Sequence, residues 1–153
     1  MDGTGRPLTR IERAVAYGAL GVAGEVTFTA LRDLAGAGVG NARLEGRSYV
    51  WMLPIYGVAA YLFEPLHDAL ASRPVWQRAA AYAAGIMSVE MATGTGLRRL
   101  VGEVPWDYSG RSRWVVGGGA VRIDYAPLWA AVGLGLERVH ARLRTLTITP
   151  GNT

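Results

Sequence analysis

The eighteen residues AVAYGALGVAGEVTFTAL, Ala14 to Leu31, lie between Arg13 and Arg32 and carry a single charge, Glu25. Wound at about 3.6 residues per turn, the stretch has small or apolar side chains on every face and no polar stripe to turn toward water. A helix of that kind is at ease only where apolar material surrounds it. Two further stretches repeat the pattern. SYVWMLPIYGVAAYLFEPL, Ser48 to Leu66, is interrupted only by Glu64, and AAAYAAGIMSVEMATGTGL, Ala79 to Leu97, only by Glu90. A fourth, Tyr125 to Leu136, gives twelve uncharged residues, and reaching back to Trp114 admits Arg122 and Asp124. A helix crossing a hydrocarbon core needs about 20 residues at about 1.5 Å each. The pattern predicts an all-α fold, an integral membrane bundle of about four transmembrane helices with a long loop before the last. The spans fall near 14–31, 48–70, 79–97 and 120–138 of a single membrane domain, 14–140, between a basic N-terminal segment, 1–13, and a C-terminal tail, 141–153. The expected location is the cell membrane, as a multi-pass protein.

Composition points the same way. The 153 residues are 50% hydrophobic and 18% charged, with 21 Gly and no Cys. Without cysteine there is no disulfide framework, no thiolate metal site and no Cys nucleophile. Interior Gly costs a soluble helix about 1 kcal/mol each, whereas membrane helices use Gly for close packing. The net charge of +4, with all sixteen basic residues Arg, suits nucleic acid or an anionic membrane surface. The apolar stretches select the lipid bilayer as partner, and no nucleic acid is expected. Two competing readings exist. Buried helices of a soluble bundle could show the same runs, but four of them would leave no polar faces to coat the globule. Arg6, Arg10 and Arg13 before Ala14 to Gly24 also resemble a signal peptide, yet no A-x-A site follows and Glu25 stands where cleavage would fall.

The connections are short and basic. Arg32 to Arg47 holds Gly36, Gly38 and Gly40; Ala71 to Arg78 is tight; Arg98 to Asp124 is longest, with Pro105, Gly110 and the Gly117–Gly119 run. Arg counts tie at eight on each side, so the positive-inside rule gives no orientation.

One glutamate in each of three spans is the most informative feature. A carboxylate deep in a bilayer costs several kcal/mol unless protonated, paired or wetted. Glu25 and Glu90 each lie roughly 3–4 Å past the midpoint of their spans, and Glu64 roughly 10 Å past its own, with Pro65 loosening the helix there. If spans one and three run the same way, Glu25 and Glu90 are level, with hydroxyls from Thr27, Thr29, Thr93 and Thr95 nearby. The set suits a site for a proton, a cation or a cationic head group; it equally suits hydrogen bonds that lock the bundle. Glu64 and His67 make a Glu-x-x-His pair, a spacing used in metal bundles. Such sites need a second His, and the only other one, His140, is near the far terminus. No metal, cofactor or catalytic residue is therefore expected, and His67 reads as a solvated side chain. Phosphate-loop, nucleophile-elbow and H-E-x-x-H patterns are absent, the triple Gly reads as a flexible loop, and the chain does not read as an enzyme.

Tyr49, Trp51, Trp76, Trp106, Tyr108 and Trp114 flank the spans, as rings at a water–lipid boundary do. Gly18, Gly21 and Gly24 form a smooth strip for a helix contact, within the chain or with a second copy in a homo-oligomer.

Several motifs stand in order: Gly24-Glu25-Val26-Thr27-Phe28-Thr29-Ala30, Leu53-Pro54-Ile55-Tyr56-Gly57, Ser88-Val89-Glu90 with Thr93-Gly94, Pro105-Trp106-Asp107-Tyr108-Ser109, and Asp124-Tyr125-Ala126-Pro127-Leu128-Trp129. Together they resemble the family that groups bacterial ABC-transporter permeases of the CmpB type with the vertebrate transmembrane protein 229 group. The resemblance covers roughly Tyr17 to Arg142. It implies a multi-pass membrane protein in which Glu25, Glu64 and Glu90 and the loop residues Trp106, Asp107, Tyr108 and Ser109 match signature positions. It also implies a partner, a separate ATPase or another membrane subunit. Arg111-Ser112-Arg113 and the triple Gly depart from the family's aromatic- or Asn-bearing stretch. Asp107 can pair with Arg98 or Arg99 or cap a turn through Ser109, and joins the glutamates if the 98–124 loop re-enters the bilayer. The expectation is a transporter or permease-like subunit whose ligand- or ion-binding residues are Glu25, Glu64, Glu90 and Asp107. The alternative is a non-transporting structural or partner subunit.

Overall fold

The computed structural model describes residues 5–37 and 43–149. Residues 1–4 of the basic segment, Gly38 and Gly40 of the first connection, and residues 150–153 of the tail lie outside the described residues. The described residues are mostly helical, as an all-α fold requires. The described residues form helices α1 (Arg10–Ala37), α2 (Met52–Gly57), α3 (Ala59–Leu70), α4 (Val75–Val101) and α5 (Ala126–Thr145), with two-residue strands β1 (Arg6–Pro7) before α1, β2 (Val115–Val116) and β3 (Val121–Arg122) between α4 and α5, and β4 (Thr147–Ile148) after α5. The chain divides into two compact units, Leu8–Tyr61 and Leu62–Thr153, the latter including the first seven residues.

In the Leu8–Tyr61 unit, α1 starts at a capping box. The Thr9 backbone N–H donates to Glu12 Oε2 at 2.7 Å, and the Glu12 N–H donates back to Thr9 Oγ1 at 3.3 Å. The glycine strip is used inside the chain. A Cβ on Gly18 would lie 2.6 Å from the Leu53 carbonyl oxygen, and one on Gly21 would enter the Tyr56 ring, so α2 presses directly on the α1 backbone. Gly24 has nothing within 4 Å of its Cβ position. The extended residues before α2 run back along α1, where Thr29 accepts from the Arg47 N–H at 2.8 Å and donates to the Arg47 carbonyl at 3.0 Å.

In the other unit, α4 and α5 run antiparallel, since Arg78 meets Glu137, Tyr82 meets Gly133 and Glu90 meets Trp129. Tyr82, only 1% exposed, lies against the bare backbone of Gly133, where a Cβ would overlap its side chain. α4 stops at Gly102, whose φ of 89° gives a left-handed cap and lets its N–H reach the Arg98 carbonyl. The long loop then folds back. β2 and β3 pair antiparallel, Val115 with Arg122 and Val116 with Val121, around Gly117, Gly118 and Gly119, all at positive φ. The triple glycine is thus a defined hairpin turn, not the loose loop its sequence suggested. β1 and β4 pair antiparallel, Arg6 with Ile148.

One helix, Arg10–Gly36 within α1, is long and apolar enough to cross a membrane, the single such case among the described residues. The reasons the other stretches differ are local. In residues 48–70 helix starts only at Met52, tightens at Val58, whose N–H reaches both Pro54 O and Ile55 O while its φ of −57° and ψ of −20° stay helical, and continues unbroken through Pro65. The expected loosening at Pro65 is therefore not seen, and α3 passes through the proline. In α4, Ser88, Thr93, Gly94, Thr95 and Gly96 dilute the apolar run. α5 starts at Ala126, not near 120, because Val121–Arg122 is committed to the hairpin and Pro127 suits a helix's first turn.

Candidate functional site

The expected site residues fall into three settings. Glu25, half-buried on α1, accepts hydrogen bonds at Oε2 from Ser48 Oγ at 2.7 Å and Tyr56 OH at 3.2 Å. Tyr56 comes from the Leu53–Gly57 motif, so two sequence motifs meet on one carboxylate. Both donors are neutral; they aim the carboxylate without cancelling its charge.

Glu90 is half-buried on α4. It accepts from Tyr108 OH at 3.4 Å on Oε1 and from the Trp129 indole N–H at 3.1 Å on Oε2. Three motifs thereby converge: Ser88–Glu90, the Trp106–Ser109 loop and Asp124–Trp129. The loop reaches Glu90 because it is anchored at its base. The buried Trp106 donates its indole N–H to the Ala120 carbonyl at 2.9 Å, the Tyr108 N–H donates to Gly119 O, and Arg98 donates to Gly118 O. Gly94 supplies the room, since a Cβ there would lie 2.8 Å from that of Ala120. Glu90 precedes the end of α4 by eleven residues, about 16 Å of helical rise, so the loop has to fold back along α4 for the Tyr108 side chain to reach it. Tyr125 completes the wall, edge-on to Tyr108 at 5.8 Å and to Trp129 at 6.3 Å. Its ring face carries the Arg122 guanidinium at 4.1 Å, and Arg122 also pairs with Asp124.

Asp107 is exposed and takes the capping role, its Oδ1 accepting the Ser109 N–H at 2.8 Å. That backbone bond, with the Ser109 hydroxyl and the charges of Arg98 and Arg111, holds its carboxyl below the usual range. Thr27 and Thr93 each return their hydroxyl to the carbonyl four residues back, Ala23 and Val89, and Thr29 is spent on Arg47.

Glu64 has a different setting. It is 1% exposed, and its Oε1 lies 3.7 Å from His140 Nδ1. The reading of His67 as a solvated side chain with His140 remote is corrected here. The antiparallel α5 carries His140 back beside α3, so the two imidazole rings are 4.7 Å apart. His140 Nε2 is 3.5 Å from Asp68 Oδ1, and Arg144 lies 3.7 Å from the other Asp68 oxygen. Across from them Arg78 grips Glu137 in a fork, Nε to Oε1 at 2.8 Å and Nη2 to Oε2 at 3.2 Å. Tyr82 donates its hydroxyl to Glu137 Oε1 at 2.9 Å, and His67 Nδ1 lies 3.1 Å from that hydroxyl. Asp68, Glu137, Arg78 and Tyr82 were missed as site residues. Only the Glu64-x-x-His67 spacing hinted at them. His67, Asp68 and His140 each bring a ligand atom within 4.8 Å of the other two. No family model, curated protein or solved structure matches the chain.

Proposed function

We propose that this chain is a multi-pass membrane protein of about four spans, a transporter or permease-like subunit and not an enzyme, with a carboxylate-lined interior for a proton, a cation or a cationic small molecule. The observation that supports this reading is Glu90, a half-buried carboxylate hydrogen-bonded by Tyr108 and Trp129, with the Tyr125 ring edge-on to both. A carboxylate beside aromatic rings is chemistry that attracts a cation, and the chain's own Arg122 lies over the face of the neighbouring Tyr125. The apolar surface supports the membrane setting. Only 22% of the candidate span in α1 is buried, unlike the core helix of a soluble protein, and Leu20, Phe28 and Leu31 are exposed along it. The ordered motifs support membership of the CmpB-type permease and transmembrane protein 229 family, with a separate ATPase or other membrane subunit as partner.

A carbonate-wash fractionation tests the membrane setting, and protein released into the wash would overturn it. For transport, Glu25→Gln and Glu90→Gln are reconstituted and flux of a proton or an organic cation is followed from about pH 5 to about pH 8. Flux falls, or loses its pH dependence, in at least one variant; unchanged flux in both retires the reading. The non-transporting subunit has its own support, since Ser48, Tyr56, Tyr108 and Trp129 tie segments together through the same glutamates. It predicts that both variants lower the melting temperature in detergent while ligand response stays unchanged.

A further inference from the structure

Arg78 ties one end of the Leu62–Thr153 unit together. Its guanidinium donates to the Arg73 carbonyl at 2.9 Å while it grips Glu137, so the turn between α3 and α4 sits beside the last turns of α5. The acids there are already matched. Glu137 is held by Arg78, Asp68 faces Arg144, and Glu64 is buried against His140. Arg73 in the turn and Arg138 and Arg142 on α5 are left over. All three are exposed, and their side chains make no ion pair or hydrogen bond with any described residue. Arg138 and Arg142 stand at i and i+4, so two like charges are neighbours on one helical face and repel. A row of anions turns that repulsion into attraction.

The same end presents apolar surface. Trp76, 67% exposed, and the half-exposed Val75 open α4 just before Arg78, and the half-exposed Leu146 follows Arg142 by one turn. On the expected spans, near 79–97 and 120–138, Arg73 and Trp76 precede one span and Arg138 and Arg142 close the other, which is headgroup depth. Phosphates suit guanidinium groups, and an indole beside them suits the water–lipid boundary. A nucleic acid backbone would pair with the arginines but leave Val75, Trp76 and Leu146 in water.

We infer that this end of the unit is a docking surface for the headgroups of anionic phospholipid, an inference that rests on the membrane reading above. Arg73, Arg138 and Arg142 pair with lipid phosphates, and Trp76 sits in the boundary layer beside them. The attraction is electrostatic, so it weakens as salt is added. It is independent of whether the chain transports a cation.

The test places the purified full chain in detergent micelles doped with phosphatidylglycerol or phosphatidylcholine, each with brominated acyl chains that quench tryptophan. Trp76→Phe removes the part of the quenching that comes from this end. The native chain prefers phosphatidylglycerol by at least about 10-fold, and Arg73→Gln, Arg138→Gln and Arg142→Gln each lower the preference about 5-fold, the worth of one arginine near an anionic surface. Arg138→Lys keeps it, and so does Arg43→Gln, whose guanidinium is already matched by Glu45. Melting of each variant checks its fold. Inorganic phosphate displaces the lipid no better than sodium chloride at equal ionic strength; stronger displacement assigns the arginines to a free anion and overturns the inference. Equal quenching by the two lipids, or an undiminished preference in the three folded Gln variants, overturns it and leaves the membrane reading standing. No quenching by either lipid overturns both.

Discussion

Replacing Trp106 by Phe removes the anchor that lets the long loop reach Glu90. The indole N–H donates to the Ala120 carbonyl at 2.9 Å, with Trp106 7% exposed and Ala120 fully buried. Phe keeps an aromatic ring but loses the donor. Stripping a buried carbonyl of its partner costs about 1–3 kcal/mol. Trimming the bicyclic ring to one ring leaves a void of at least methyl size, worth about 1 kcal/mol more. The sum, about 2–4 kcal/mol, is a large part of the about 5–15 kcal/mol that holds a typical domain. For a chain this long it lowers the melting temperature by about 4–16 °C. The assay is thermal unfolding in detergent, with hydrogen exchange of the Tyr108 amide, which donates to Gly119 O, as a local report. Trp114→Phe is the control, because Trp114 is half exposed and its loss should cost less than about 0.5 kcal/mol. Equal melting temperatures for the two variants, with the Tyr108 amide still protected, would refute the argument that this buried bond holds the loop.

Three further outcomes are expected. Gly133→Ala drives a methyl into Tyr82, 2.9 Å from its Cγ, and overpacking of that kind costs about 1–3 kcal/mol, read as a lower melting temperature. Thr9→Ala dismantles the α1 capping box and costs about 1 kcal/mol; no change in denaturant midpoint would show that the cap is idle. Asp107 titrates below its ordinary value of about 3.9, so its contribution is complete above that value and is lost as pH falls through the lowered folded one. The stability gap between the native chain and Asp107→Asn should therefore narrow below about pH 4, and a gap that widens on acidification contradicts the cap.

The helical character of the chain was legible residue by residue. Charge-poor runs, Thr9 with Glu12 before α1, and Pro127 near the start of α5 are local signals, since a backbone reads its own near neighbours when it winds. The three glutamates stood out in the same way, each a costly exception in an apolar run. Their partners did not. Trp129 lies 39 positions from Glu90, and Tyr108 arrives there only because the loop folds back on Gly94. The hairpin around Gly117–Gly119 was hidden for a related reason. Glycine permits many backbone shapes, and the neighbours pressed against it select one. His140 is the plainest case. Along the chain it is a lone histidine near the end, and beside α3 it faces Glu64, His67 and Asp68. Hydropathy and capping depend on residues a turn or two apart, whereas a site depends on which helix faces come together, and that is settled by packing.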